Sequence, residues 1–144
     1  MVIAMINSFE NAENYDNLMK YLMNKAVFKY QIGVVFTDRL NPTAPPVSYN
    51  EPGKLIIMNN KWMYPEQTPF LLAHEIGHVI HETECFYNIN SKTRLKGEYN
   101  ENIFAIKLLQ QYCLENEIYF DNWYSFARSF GIPKKCYYLL NLIA

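Results

Sequence analysis

Apolar residues near the start of the chain recur at helical spacing: Leu18, Leu22 and Ala26 trace one face, with Met19, Tyr21 and Met23 beside it. That period predicts a helix over about 15–30. Gly33 interrupts it, and Val34, Val35 and Phe36 read as a short buried strand closed by polar residues around Asp38. Residues 41–46, Asn-Pro-Thr-Ala-Pro-Pro, must form a loop, because proline offers no amide to a helix or ladder. Val47–Tyr49 and 54–58 flank Asn50-Glu51-Pro52-Gly53, which reads as a turn between two hairpin strands. Pro65, Glu66, Gln67 and Thr68 open a second helix that continues to about His81 or Glu82. A polar stretch over 83–96 leads to Gly97, which precedes a third helix over about 98–116. Residues 119–144 read as two shorter helices separated by Gly131-Ile132-Pro133. Helix, small sheet, then helices predicts one α+β domain over 1–144, with a helical C-terminal subregion from about 118.

Composition narrows the classes. The 144 residues are 50% apolar and 19% charged, which supports a packed core and excludes an intrinsically disordered chain. A net charge of −1 provides no basic excess for nucleic acid and no polybasic run for an anionic membrane. No run of about 18 apolar residues exists to span a bilayer. The first residues lack a basic segment and a small-residue cleavage site, so no secretory signal is expected. Cys85, Cys113 and Cys136 are scattered, with no C-x-x-C pair, and fit a reducing cytoplasm. The 12 Tyr and 9 Phe can fill a core or line a peptide groove, and their number does not choose between these.

All three histidines, His74, His78 and His81, fall in one helical stretch, and His74-Glu75-Ile76-Gly77-His78 is an H-E-x-x-H motif. Positions four apart share a helix face, so two imidazoles converge on one point and suit Zn²⁺, which binds His at ~2.0–2.1 Å. Glu75, displaced by ~100° around the helix, can hold a water there and take its proton. Projected on the helix, His74, Glu75, His78, His81 and Glu82 share an arc of roughly 120°, with Leu72, Ala73, Ile76, Val79 and Ile80 opposite. The competing reading is a surface helix that carries His and Glu by coincidence. The sorting of the two faces, and a Gly inside the motif that admits close backbone approach, argue against it.

A catalytic zinc keeps three protein ligands and one open position. His81 lies three residues after His78, and a rigid helix does not bend it back to the same ion easily. The next helix buries Phe104, Ala105, Leu108, Leu109 and Tyr112, and Glu98 and Asn102 project onto that inward face, with Glu101 at its border. An inward carboxylate is costly unless paired or bound to a metal, which favours Glu98 as third ligand. Asn102 is then placed to hydrogen-bond a ligand. Glu101 stays open as a substitute, and the competing reading of Glu98 is a charge favouring a helix N-terminus.

The run Phe70-Leu71-Leu72-Ala73-His74-Glu75-Ile76-Gly77-His78-Val79-Ile80-His81, with Glu98-x-x-x-Asn102-x-Phe104-Ala105-x-x-Leu108-Leu109 after it, resembles the ImmA/IrrE metallo-endopeptidases. These are compact gluzincin-like proteins common on phages and mobile elements. The resemblance covers about residues 54–140 and includes Phe126-Ala127-x-x-Phe130-Gly131-Ile132-Pro133. It implies a zincin-like fold with His74, His78 and Glu98 as zinc ligands and Glu75 as catalytic acid/base. Two departures stand out: Glu101 sits where the family usually has Ala, and Gln110-Gln111 replace a frequent Met-Pro.

The implied activity is zinc-dependent cleavage of a protein or peptide substrate, such as a helix-turn-helix transcriptional repressor of a phage or mobile element. The strand at 54–58 is expected to pair with an extended substrate. Tyr49, Tyr64, Tyr87 and Tyr99 all remain open as oxyanion donors. A second reading keeps the zinc fold as a non-catalytic or toxin–antitoxin-type regulator. A third makes 119–144 a DNA-binding helix-turn-helix, but its only cations are Arg128, Lys134 and Lys135. Phosphate contact draws on a denser basic face, so core packing is the expected role, with no direct nucleic-acid or membrane partner.

Overall fold

A computed structural model describes residues 12–82 and 91–143. Helix α1 (Ala12–Asn24) runs into a single π-helical turn, Lys25–Lys29. Three strands follow: β1 (Gly33–Thr37), β2 (Val47–Tyr49) and β3 (Leu55–Asn59). A 3-10 turn at Pro65–Gln67 opens α2 (Thr68–Glu82), and α3 spans Ser91–Glu115. The C-terminal part holds α4 (Trp123–Ser129), a 3-10 segment (Lys134–Leu139) and α5 (Leu140–Ile143). The architecture is α+β, as the order of periodicities predicts.

The first helix begins at Ala12, earlier than the apolar period shows, and its predicted face holds: Leu18, Leu22 and Ala26 are fully buried. The chain then reverses at Gln31 (φ 58°), and the Ile32 amide donates to the Ala26 carbonyl at 2.8 Å. Gly33 is therefore the first residue of β1 and not a break before it. The strand is also not buried on both faces, since Val35 is 50% exposed.

The sheet order is β1-β3-β2, with β1 parallel and β2 antiparallel to β3. The hairpin predicted around residues 50–53 is present, with Ser48 opposite Ile56. Its second strand, however, is the middle of the sheet. Both edges of β3 are paired, so it has none left for a substrate, and among the described residues the free edge next to the hairpin belongs to β2. A parallel partner distant in sequence leaves no trace in the local pattern of the hairpin, which is why the expectation for 54–58 fails.

Helix α2 packs against α3, α1 and strands β2 and β3. Leu72, Ala73, Ile76 and Val79 are buried on its apolar face, and His74 and Glu75, each 8% exposed, are buried on its polar one. A helix covered on both faces is not a surface helix with incidental histidines. Gly77 permits the close approach of α3: a Cβ there would lie 3.1 Å from Phe104 Cδ1 and 3.4 Å from Glu101 Cγ.

Helix α3 begins at Ser91, seven residues before the expected start at 98, and Gly97 lies inside it. A helical glycine costs only about 1 kcal/mol, and burial of Ala105, Ile106 and Leu109 on the same helix offsets it. The rest of the stretch expected to be polar loop, with Cys85 and Tyr87, lies outside the described residues.

Two helical segments follow residue 119, separated by Gly131-Ile132-Pro133 as expected: α4, and a second that is 3-10 over Lys134–Leu139 and α-helical over Leu140–Ile143. Phe126, Ala127, Phe130, Ile132, Cys136 and Leu139 are buried in the common core, which is the packing role expected for this part. Among the described residues no helix is long and apolar enough to cross a membrane.

Candidate metal centre and active-site groove

The two histidines of the motif lie one turn apart on α2, their ring centroids separated by 4.7 Å. Glu98 of α3 reaches across to both. Its Oε2 is 3.1 Å from His74 Nε2 and its Oε1 is 2.9 Å from His78 Nε2. One ligand atom from each of His74, His78 and Glu98 lies within 4.8 Å of the other two. Two imidazole nitrogens and a carboxylate are the protein donor set of a His₂Glu catalytic zinc site, so the residues fit that metal by chemistry and by spacing.

The charges follow the contacts. Hydrogen bonds from His74 and His78 hold the Glu98 carboxyl well below the usual carboxylate range, against the opposing effect of partial burial. Burial alone would lower the His78 pKa, but the bond to Glu98 and the charges of Glu75, Glu98 and Glu101 outweigh it and lift it to about 9. Glu75 is different: burial raises its pKa, and His78, His74 and a hydrogen-bonding contact with the Ser48 hydroxyl only partly restrain it. A buried carboxyl with a raised pKa holds a proton more readily than a solvated one, which suits it to proton transfer.

The other candidates are placed apart from the cluster. Glu101 is buried (2% exposed) and turns to the opposite side of the His78 ring, 3.7 Å from Nδ1, where it also bonds His81 Nδ1. Glu101 and His81 thus pair with each other. Asn102, one turn after Glu98, lines the groove in front of the site.

That groove has a volume of about 850 Å³. One part of its lining is Ser48 and Tyr49 of β2 with Pro45 and Pro46 before them, and Trp62, Tyr64 and Phe70 add aromatic surface. Of the four tyrosines considered as oxyanion donors, Tyr49 and Tyr64 border it, Tyr99 is not part of its lining, and Tyr87 lies outside the described residues. Buried Asn59 ties the proline-rich loop in place. Its Nδ2 donates to the carbonyls of Asn41 (2.8 Å) and Ala44 (2.9 Å), and its Oδ1 accepts from the Lys61 amide (2.8 Å). Ser48 and the Lys134-Lys135 pair are not singled out from sequence as parts of this site. Each reaches it because segments remote along the chain pack together.

The profile of the Peptidase_M78 family, described as the IrrE N-terminal-like domain, matches residues 29–137, about three quarters of the chain. The chain belongs to this ImmA/IrrE family of metallopeptidases. No curated protein and no solved structure matches it at a significant level.

Proposed function

We propose that this protein is a zinc-dependent endopeptidase in which His74, His78 and Glu98 hold the metal and Glu75 moves the proton. The reading is carried by one juxtaposition: a His-His-Glu donor set and a buried carboxyl of raised pKa at an open groove, in a chain of a metallopeptidase family. Bound zinc supplies Lewis acidity, which acidifies water toward a pKa of ~7 and polarises a carbonyl.

The residues of the chain do the rest. Glu98 anchors both imidazoles by their Nε2 atoms and so presets the positions of all three donors. The Glu75 carboxylate accepts a proton from the attacking water and delivers it to the leaving amide nitrogen. Ser48 steadies that carboxylate from β2. The unpaired edge of β2 offers backbone groups to an extended peptide, aligned past Glu75 by strand addition. The substrate suggested by family kinship is a helix-turn-helix repressor of a phage or mobile element, acted on in the cytoplasm.

Metal analysis and peptide cleavage by wild type and Glu75→Gln test the reading together. Zinc retained with cleavage abolished supports it. Unchanged biological output in Glu75→Gln would instead favour a regulatory protein on the same fold.

A further inference from the structure

The segment Pro133-Lys134-Lys135 is remote in sequence from α2, yet it lines one part of the groove. Its position is fixed by Gly131, whose φ is 66° and which presses on the 3-10 turn ahead of α2. A Cβ at Gly131 would stand 1.8 Å from the Glu66 carbonyl oxygen. The next residue, Ile132, is buried and donates its amide to the Ala127 carbonyl at 2.9 Å. Cys136, also buried, anchors the other side of the lysine pair. The turn and the histidine cluster line the same groove.

Both lysines are exposed, and neither has an anionic partner among the described residues. The carboxylates of the groove are already engaged, Glu98 with two histidines and Glu75 with Ser48 and the imidazoles. Apart from these and the histidines, the lining is uncharged and rich in aromatic and proline surface. Two free ammonium groups on a groove whose own carboxylates are already engaged select for carboxylates of a ligand.

We infer that the groove selects acidic segments of its substrate, an Asp or Glu side chain near the cleaved bond meeting Lys134 and Lys135 while apolar neighbours pack on Trp62, Tyr64 and Phe70. This rests on the proteolytic reading and adds the class of sequence it takes.

The test digests a peptide library with the zinc-loaded protein and reads residue preferences around the cleaved bonds by mass spectrometry, for wild type and for Lys134→Glu/Lys135→Glu. Wild type should enrich Asp and Glu at positions near the bond. Each lysine should contribute roughly threefold, as exposed ion pairs do, and the double variant should reverse the preference toward Lys and Arg. Added salt should compress the wild-type preference. A wild-type profile without acidic enrichment, or an identical profile in the double variant, overturns the inference while leaving the protease intact.

A second arm uses zinc-loaded Glu75→Gln, immobilised, to capture uncleaved library peptides. Capture of acidic peptides that is lost on adding the two lysine reversals supports the selectivity even if wild type cleaves nothing and the proteolytic reading fails. Absence of such capture in that case overturns both.

Discussion

Glu98→Ala separates a metal ligand from a merely structural carboxylate. Its side chain is 47% exposed, so truncation leaves no large cavity, and the direct cost to folding is the loss of an acceptor for two imidazoles. Leaving the buried His74 ring without that acceptor costs about 1–2 kcal/mol, a fall in melting temperature of roughly 3–8 °C for a chain of this size. The effect on metal binding is larger. Loss of a group that only supports a ligand costs about 10–100-fold in affinity, and loss of the ligand itself should reach at least about 100-fold. At free zinc 100 times the wild-type Kd, the ion stabilises the wild type by about 2.7 kcal/mol and a 100-fold weaker variant by only about 0.4 kcal/mol. Zinc should therefore raise the wild-type melting temperature by roughly 8 °C and that of the variant by about 1 °C. Chelator competition gives the affinity directly, and thermal melts with and without zinc check the linkage. Affinity of Glu98→Ala within about threefold of wild type would refute the assignment, and Glu101→Ala and His81→Ala would then be the variants to measure.

Two further outcomes lie away from the metal. Gly131→Ala should destabilise by at least about 3 kcal/mol, because a left-handed alanine costs about 1–2 kcal/mol and its Cβ also meets the Glu66 carbonyl. A melting temperature within about 2 °C of wild type would show that the C-terminal turn is not seated there. Burial pushes the Cys113 thiol from 9.0 up to about 12. Between those values the folded chain keeps a proton that the unfolded chain releases, so this contribution to stability is complete below pH 9 and shrinks as pH rises. Unfolding free energies from urea titrations at about pH 8 to 10 should decline by up to about 1.4 kcal/mol per pH unit above 9, and Cys113→Ala should flatten that slope. An unchanged slope in the variant would assign the decline to other groups.

Much of this protein is legible locally. The buried stripe of α1 follows from the spacing of Leu18, Leu22 and Ala26, and the hairpin follows from turn residues between two apolar runs. The convergence of His74 and His78 is equally local, since helical geometry fixes where positions four apart point. The inward face of the next helix also indicated that Glu98 needs a partner. These features depend on backbone period and on the cost of burying charge, both properties of a short segment.

The remainder depends on which segments meet, and that is settled by how apolar surfaces from distant parts of the chain bury one another. The parallel pairing of β1 with β3 moves the free edge to β2 and brings Ser48 to Glu75. Gly77 lets α3 close on α2, turning Glu101 to the Nδ1 side of His78 and leaving Glu98 at the Nε2 atoms. Gly131, read from sequence only as a break between helices, seats Lys134 and Lys135 in the groove. Period and propensity reach only a few residues along the chain, so the amino-acid order named the helix that carries the chemistry, and tertiary packing chose its neighbours and the shape of the groove in front of it.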